Sequence, residues 1–220
     1  MKKLSLLGFL TTFFLQAFSQ FQGSLTYEQV ATNKVVTTYY QNGNMSRIDA
    51  KIYPIINKVP DTANAKAQFP LIYDFTANRE ITLHTDAKVA ITTLPNTQRT
   101  EKLMNTTSND ISVKLVGAEK VGNYSCQHFH VVVKKSMRDM NIWITQDLGN
   151  ANMIILPMFL YYGPGCVATQ MIQQAGGNGV VVKATSGPLT INLVGVTKRT
   201  PPNNLFQTPS DYQSVDHSNM

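Results

Sequence analysis

The feature that most constrains the fold is the stretch at residues 150–175, which contains no charged side chain. On both sides of it the chain alternates polar and apolar residues, a pattern typical of strands with one face in water. An uncharged segment between such strands most simply packs against the apolar face that they share. The sequence therefore predicts a sheet built around residues 150–175.

This stretch divides at Gly163-Pro164-Gly165. Residues 153–162 are almost wholly apolar and include Pro157, which predicts a helix that is either kinked there or begins there. Residues 166–175 place Val167, Met171 and Ile172 at helical spacing among polar neighbours, which predicts an amphipathic helix. Together the halves predict a short helical plug.

Two interpretations of the plug remain open. In the first, both halves are solid core that fills the dry face of the sheet. In the second, flexible and polarisable methionines and aromatic rings line an adaptable hydrophobic pocket. The residues predicted to bind a ligand in that pocket are Met153, Met158, Phe159, Tyr161, Tyr162 and Met171.

The rest of the chain is dominated by strand patterns. Asn42-Gly43 between two strand-like runs is a strong hairpin signal, because both central turn positions need positive φ. In the second half, residues 125–133 and 141–145 are predicted antiparallel partners, and residues 180–185 and 189–194 form a final hairpin. Strands and helices do not alternate, which favours an antiparallel sheet in a mainly β protein with some α-helix.

Three segments lack a clear strand pattern. Residues 51–70 contain three prolines and are predicted to form a loop with a helical turn near residues 63–67. Residues 95–110 are polar and low in aromatic side chains, which predicts a surface connection. Residues 201–220 are predicted to be an extended C-terminal tail on which Phe206 and Tyr212 dock, leaving residues 20–200 as one domain.

The first 19 residues have the composition of a cleaved signal peptide. Lys2 and Lys3 precede a short apolar run, and small residues at Ala17 and Ser19 suit cleavage after Ser19. An N-terminal membrane anchor is the alternative. Because no cysteine stands at the cleavage point and no later run approaches ~20 apolar residues, we expect a periplasmic or secreted protein that is not integral to the membrane.

The charge argues against nucleic acid as a partner. Loss of the signal peptide leaves 17 of the 19 basic residues against 13 acidic ones, an excess of four. The basic residues are scattered, whereas nucleic-acid binding proteins concentrate them with aromatic neighbours. We interpret the excess as a contribution to solubility.

Cys126 and Cys166 are an even pair in a chain expected to be exported, which favours a disulfide between them. Such a bond would close a loop of about 40 residues and contribute roughly 3–4 kcal/mol in the chain-entropy model. Two buried free thiols are the alternative.

The sequence predicts no catalytic residue, metal site or cofactor. His128 and His130 share one face of a strand, but a third ligand such as His84 or His217 would have to come from elsewhere in the fold. A nucleophile made of Cys126 and His128 is conceivable, although a disulfide at Cys126 excludes it. Phosphate-binding glycine loops and hydrolase or zinc-protease motifs are absent from the sequence, so we expect a protein that is not an enzyme.

Several motifs resemble an uncharacterised family of secreted proteins seen mostly in Bacteroidetes. The matching segments are Phe21-Gln-Gly-Ser-Leu-Thr-Tyr-Glu28, Tyr40-Gln-Asn-Gly-Asn-Met-Ser-Arg-Ile-Asp49, Leu71-Ile-Tyr-Asp74, Gly122-Asn-Tyr-Ser-Cys-Gln-His-Phe129 and Trp143-Ile-Thr-Gln-Asp-Leu-Gly149. That family is similar to the outer-membrane lipoprotein carriers LolA, LolB and LppX. The resemblance implies an antiparallel, incompletely closed half-barrel that wraps around helices and holds lipid or acyl chains.

Two functions are therefore considered. The first is a non-enzymatic periplasmic or envelope protein that binds a hydrophobic ligand, such as a lipid or a lipidated partner, beside residues 153–162. The second is a structural or protein-interaction module of the envelope, with a solid core and no small-molecule ligand. The first predicts a cavity between the sheet and the plug, and the second predicts a protein partner.

Overall fold

The computed structural model describes residues 20–156, 160–163 and 165–217. The predicted signal peptide at residues 1–19 and the predicted ligand residues Met158 and Phe159 lie outside this part of the chain. No helix among the described residues is long and apolar enough to cross a membrane.

The fold is dominated by one open sheet of fourteen strands. Twelve of them run in the order β16-β8-β7-β6-β3-β2-β1-β15-β14-β11-β10-β9, and two short strands pair only with β3. The strands are β1 Gly23–Val30, β2 Asn33–Asn42, β3 Met45–Ile56, β4 Val59–Pro60, β5 Lys66–Ala67, β6 Leu71–Asp74, β7 Arg79–His84, β8 Val89–Thr93, β9 Ile111–Val121, β10 Tyr124–Val133, β11 Arg138–Thr145, β14 Val180–Ser186, β15 Leu189–Thr197 and β16 Gln213–Asp216.

Nearly all pairings are antiparallel, which confirms the predicted mainly β class. The predicted hairpin forms, but its two-residue turn is Gly43-Asn44, because Asn42 lies opposite Met45 at the end of β2. Of the two turn residues only Gly43 has a positive φ, 56°. The predicted pairs in the second half also form, since Cys126 lies opposite Thr145 and Ser186 opposite Leu189. Strands β1 and β15 join the two halves of the chain, and only β16 lies parallel to its described neighbour, β8.

Residues 51–70 differ from the predicted loop with a helical turn. Strand β3 continues through Pro54 to Ile56, and β4 returns after a two-residue turn in which Asn57 and Lys58 both have positive φ. Pro54 is tolerated because it lies near the end of β3, opposite the first residue of β2. This segment is a hairpin that extends one end of the sheet.

Residues 95–110 form a mostly exposed connection, as predicted, but one with regular structure that the sequence did not indicate. They form helix α1 (Asn96–Leu103) and a single 3-10 turn (Ser108–Asp110). The carboxylate of Asp110 accepts hydrogen bonds from the backbone N–H and the hydroxyl of Thr107 at 2.8 and 2.9 Å, so a reciprocal cap fixes this turn.

The plug is half strand and half helix. The helix predicted over residues 153–162 is wrong: β12 (Ile154–Leu156) and β13 (Leu160–Tyr162) form an antiparallel hairpin, with Ile154 opposite Tyr162. Proline within the segment and β-branched residues beside it disfavour a continuous helix. The predicted amphipathic helix is confirmed as α2 (Val167–Gln174).

The plug packs into one main core with strands from across the whole sheet. Buried side chains come from β1, β2, β3 and β6 on one side and from β9, β10, β11, β14 and β15 on the other. Ile155 of β12 and Ile172 of α2 are fully enclosed among them. Because distant strands share this core, the sheet must curve around the plug.

A second, smaller core lies on the other face of β6–β8. It consists of Ile72, Leu83, Ala90 and Phe206, with Tyr212 packed against it. The segment predicted as an extended tail supplies Phe206 from a 3-10 turn (Asn203–Phe206) and then adds β16 to the sheet. The expected docking of Phe206 and Tyr212 is therefore confirmed, whereas the segment carries more regular structure than predicted.

Candidate functional site

Helix α1 is the connection that crosses from one side of the sheet to the other. It follows β8, next to the edge strand β16, and leads to β9, the opposite edge strand. On the way it contacts β13 of the plug. The amide of Gln98 sits so close to Gly165 that a Cβ atom at position 165 would overlap it. Helix α1 thus lies directly over the junction between the two halves of the plug.

Glu101 fastens α1 to the plug. Its carboxylate accepts hydrogen bonds from the backbone N–H groups of Val167 at 2.9 Å and Ala168 at 3.3 Å. The side chain is buried, and burial raises the pKa of Glu101 above its ordinary value, while the two N–H groups act in the opposite direction. A buried carboxylate therefore bridges two helices.

The local sequence explains why α2 needs this acceptor. The residue that precedes the helix is Cys166, and its side chain makes no capping hydrogen bond. The first N–H groups of any α-helix lack partners within the helix and carry partial positive charge. Glu101 supplies from α1 the acceptor that α2 lacks in its own sequence.

Cavities lie on both sides of the Glu101 contact. One, of about 100 Å³, is lined by Glu101, Met104, Val133, Arg138 and Tyr162, among others. The other, of about 350 Å³, opens between Gln98, Lys102 and Gly165 and also includes Glu101. We call this contact between α1 and the plug the seam, and it has a cavity on either side.

The residues predicted to line a hydrophobic pocket are not all brought to this seam. Tyr162 lines the smaller cavity, and burial raises its pKa to about 12. Met153 is buried in the main core, and Met171 packs against the edge of that core. The side chain of Tyr161 lies outside the described part of the structure, as do Met158 and Phe159.

The predicted disulfide is not formed. Cys126 on β10 and Cys166 before α2 are both free, buried thiols. Each is enclosed by different neighbours: Cys126 lies near Glu119 and Asp147, and Cys166 lies near Glu101. Burial raises the pKa of Cys126 to about 11 and that of Cys166 to about 12, so neither thiol ionises near neutral pH.

The two strand histidines are held by neighbouring side chains on the outer face of the sheet. His128 stacks on Trp143, with ring centroids 4.3 Å apart, and its Nε2 lies 2.9 Å from Oδ1 of Asn141. His130 Nε2 lies 2.7 Å from Asp139 Oδ1. The described residues contain no group of three or more potential ligands that could hold a metal ion.

A buried polar network at the start of the plug was not anticipated from the sequence. The hydroxyl of Tyr39 lies 2.7 Å from Ser46 Oγ and also donates to Oε1 of Gln41, which accepts the backbone N–H of Asn152 at 2.8 Å. Asn152 in turn donates to the carbonyl of Gly43 at 2.8 Å. These bonds attach the entrance of the plug to the β2–β3 hairpin.

Fold and site together define a mainly β protein with an open sheet, an apolar plug and a helix fastened across the plug. A family model described as Domain of unknown function (DUF4412) matches residues 21–212, and the chain belongs to that family. A search among curated proteins found no match to the chain.

Proposed function

We propose that this protein is a non-enzymatic component of the bacterial periplasm or envelope that binds a hydrophobic ligand, such as a lipid or a lipidated partner. The observation that carries the proposal is the seam at Glu101, where one side-chain bridge holds a polar helix over an apolar plug. A helix held in this way is suited to act as a lid. The signal-peptide composition of residues 1–19 supports the location.

The architecture supports a carrier-like half-barrel. In the proposed comparison with LolA, LolB and LppX, the curved sheet corresponds to the half-barrel, and the β12–β13 hairpin with α2 corresponds to the elements inside it. The shared core, which draws side chains from β6 at one side and β9 at the other, supports this curvature. Because the sheet does not close on itself, helix α1 is the element that covers the interior of the half-barrel.

The smaller of the two cavities beside Glu101 cannot hold a lipid chain as it stands. The cavity beside Tyr162 measures about 100 Å³, and one water occupies roughly 30 Å³ of liquid volume. It therefore holds a few waters and is too small for an acyl chain. We propose that a ligand enters when α1 lifts from the plug and the two cavities beside Glu101 merge.

The lining of the cavities favours an amphiphilic ligand over a purely apolar one. Val133, Met104 and Tyr162 offer apolar surface, while Arg138 in the smaller cavity and Lys102 in the larger one offer positive charge. A lipid with an acidic head group would place its chain against the first set and its head group near the second.

A structural or protein-interaction module with a solid core is the second candidate. The observation that favours it is the dense burial of the plug, since Met153, Ile155, Ala168 and Ile172 are all nearly or fully enclosed. In that case α1 is a permanent part of the wall, and the functional partner is another protein of the envelope.

The deciding experiment is native mass spectrometry of the protein purified from its own envelope, combined with titration of a fluorescent dansyl-labelled fatty acid. We expect a co-purifying lipid and saturable probe binding. The variant Ser136→Trp places a bulky ring in the cavity beside Tyr162 and should abolish probe binding.

The matched control is Ser125→Trp, which puts the same ring in a separate groove of about 450 Å³ at the other end of β10 and should leave probe binding intact. Absence of both lipid and probe binding would favour the solid module. Equal loss in the two variants would show that the probe does not use the seam.

A further inference from the structure

One end of the sheet collects the turns of five hairpins. Strands β1, β3, β7, β10 and β14 run toward this end, and β2, β4, β8, β11 and β15 run away from it. The registers that align them across the sheet include Gln29 opposite Ile191 and Asn141 opposite Thr185. The C-terminal end of α1 joins it, because Lys135 of the β10–β11 turn donates to the carbonyl of Asn105 at 2.6 Å. We name this end the rim.

The rim carries most of the exposed large apolar side chains of the described residues. Seven of the ten lie there, and the other three (Leu115, Val116 and Val194) lie within β9 and β15. Because strands, turns and loops occur at both ends of the sheet, this bias is not a simple consequence of loop exposure. The seven are Val30, Ile56, Val59, Phe69, Leu103, Met104 and Met137.

Several of these side chains project from the tips of the turns. Met137 in the β10–β11 turn is 92% exposed, and Leu103 at the end of α1 is 87% exposed. Ile56 and Val59 lie directly opposite each other across the β3–β4 turn, so both side chains point to the same face of that hairpin. The apolar surface is thus distributed over separate projections and does not form one flat patch.

A lysine accompanies the apolar side chains at four of these projections. Lys34 lies opposite Val30, Lys58 lies between Ile56 and Val59, Lys102 precedes Leu103, and Lys134 and Lys135 precede Met137. Long lysine stems beside apolar side chains suit a boundary between hydrocarbon and water, where the stem is buried and the ammonium reaches the head groups.

Acidic side chains reduce the net charge of the rim. Glu28, Asp211 and Asp110 pair with Lys34, Lys88 and Lys135 at 2.6, 2.8 and 3.3 Å. Among the described residues, Lys58, Lys102 and Lys134 have no acidic partner, while Asp61 and Asp86 lie at the same end. The electrostatic contribution is therefore modest, and the apolar tips supply most of the attraction.

We propose that the rim docks on the surface of a lipid bilayer that contains anionic head groups. A fluid interface accommodates each projecting tip independently, whereas a protein partner would need a matching recess for every one of them. Met104 and Lys102 also line the cavities beside Glu101. The other rim side chains, including Leu103, Met137, Lys58 and Lys134, line neither cavity, so the proposal can be tested separately from any ligand inside the plug.

The test is flotation of the protein with vesicles of phosphatidylethanolamine and phosphatidylglycerol, compared with vesicles of phosphatidylcholine alone. We expect the protein to float with both, and more strongly with the anionic vesicles. The double variant Leu103→Ser with Met137→Ser should weaken partitioning by about tenfold or more. Lys58→Gln with Lys134→Gln should weaken binding only to the anionic vesicles, by about fivefold for each lysine.

The matched control is Leu115→Ser with Val194→Ser, which removes the same kind of exposed side chain away from the rim and should leave flotation unchanged. A second readout places an environment-sensitive dye on Met137→Cys or on Val194→Cys, where a blue shift with vesicles is expected only at position 137. Failure of the wild-type protein to float, or equal losses in rim and control variants, would overturn the proposal.

Discussion

The two faces of the sheet are covered by segments of opposite character. The inner face is covered by the plug at residues 150–175, which has no charged residue and fills the main core. The outer face of β6–β8 is covered by residues 201–212, which bury Phe206 and pack Leu205 and Tyr212 beside it. Residues 213–216 then extend the sheet as β16, and both parts make polar contacts. Those contacts include Arg47 donating to the carbonyl of Leu205 at 3.0 Å and Gln213 N–H donating to the carbonyl of Lys88 at 2.8 Å.

This difference teaches that an apolar sequence is needed only where a cover is enclosed on all sides. The plug is surrounded by strands from across the sheet, so a charged side chain there would need a buried partner. The C-terminal segment lies at the surface, where backbone hydrogen bonds and a small cluster of Leu205, Phe206 and Tyr212 suffice. Substitutions in the two covers should therefore differ in how much they lower the free energy of unfolding and in how far their effect extends through the sheet.

The largest effect is expected in the plug. Ile172→Ala removes a fully enclosed side chain from α2 and should lower the free energy of unfolding by about 4 kcal/mol. Urea denaturation followed by circular dichroism measures it. A loss below about 1 kcal/mol would mean that α2 is not packed as part of the common core.

A smaller and more local effect is expected in the outer cover. Phe206→Ala should cost about 2 kcal/mol, because the small surface cluster can partly collapse around the gap. Hydrogen exchange should accelerate in β16 and β8 and remain unchanged in β10 and β11. Acceleration throughout the sheet would remove the distinction between the two covers.

Truncating the side chain of Glu101 and removing only its charge should lower the stability of the protein by different amounts. Glu101→Ala leaves two N–H groups of α2 without an acceptor and should cost about 1–2 kcal/mol. Glu101→Gln keeps a carbonyl acceptor and should cost less. A thermal-denaturation series of the two variants measures the difference, and equal losses would show that the bridge depends on the charge itself.

The pH dependence of stability follows from the raised pKa of Glu101. Because burial raises the pKa of the folded state, the folded protein favours the protonated carboxyl. The contribution of Glu101 to stability is therefore fully present below the unfolded pKa of about 4.5 and is lost as the pH rises through the folded pKa. The melting temperature of the wild type relative to Glu101→Gln should fall as the pH rises across this window.

The last prediction concerns chemical reactivity and involves no change in stability. Both thiols are buried and protonated, so an alkylating reagent at mildly alkaline pH should leave the folded protein unmodified. In denaturant without a reductant, mass spectrometry should find adducts at both Cys126 and Cys166. Unmodified cysteines in denaturant would show that the two are bonded after all.

Local patterns in the sequence predicted much of the sheet. The hairpin at Asn42-Gly43, the alternation in β10 and the spacing of Met171 and Ile172 each contain their structural signal within a few residues. These signals were sufficient for the antiparallel class, most strands and α2. They do not contain the order of the strands, which depends on pairings such as β1 with β15.

The parts that were missed depend on distant partners. An unbroken apolar run such as residues 153–162 does not distinguish a strand from a helix by periodicity alone. Helix α1 was missed because its sequence is polar, and its carboxylate at Glu101 finds its two partners 66 and 67 residues further along the chain. The hydrogen bonds that hold the start of α2 could not be predicted, because Cys166 gives no capping signal and the acceptor, Glu101, belongs to α1.

The pairing of β1 with β15 limits how early in folding the sheet can be completed. Ser24 lies opposite Thr197, so β1 cannot complete its pairing until one of the last strands of the chain is present. Contacts between residues this far apart form slowly, because the intervening chain must be ordered first. Until the segment that ends at Thr197 is present, β1 is therefore paired on one side only, by β2, and its other edge is free.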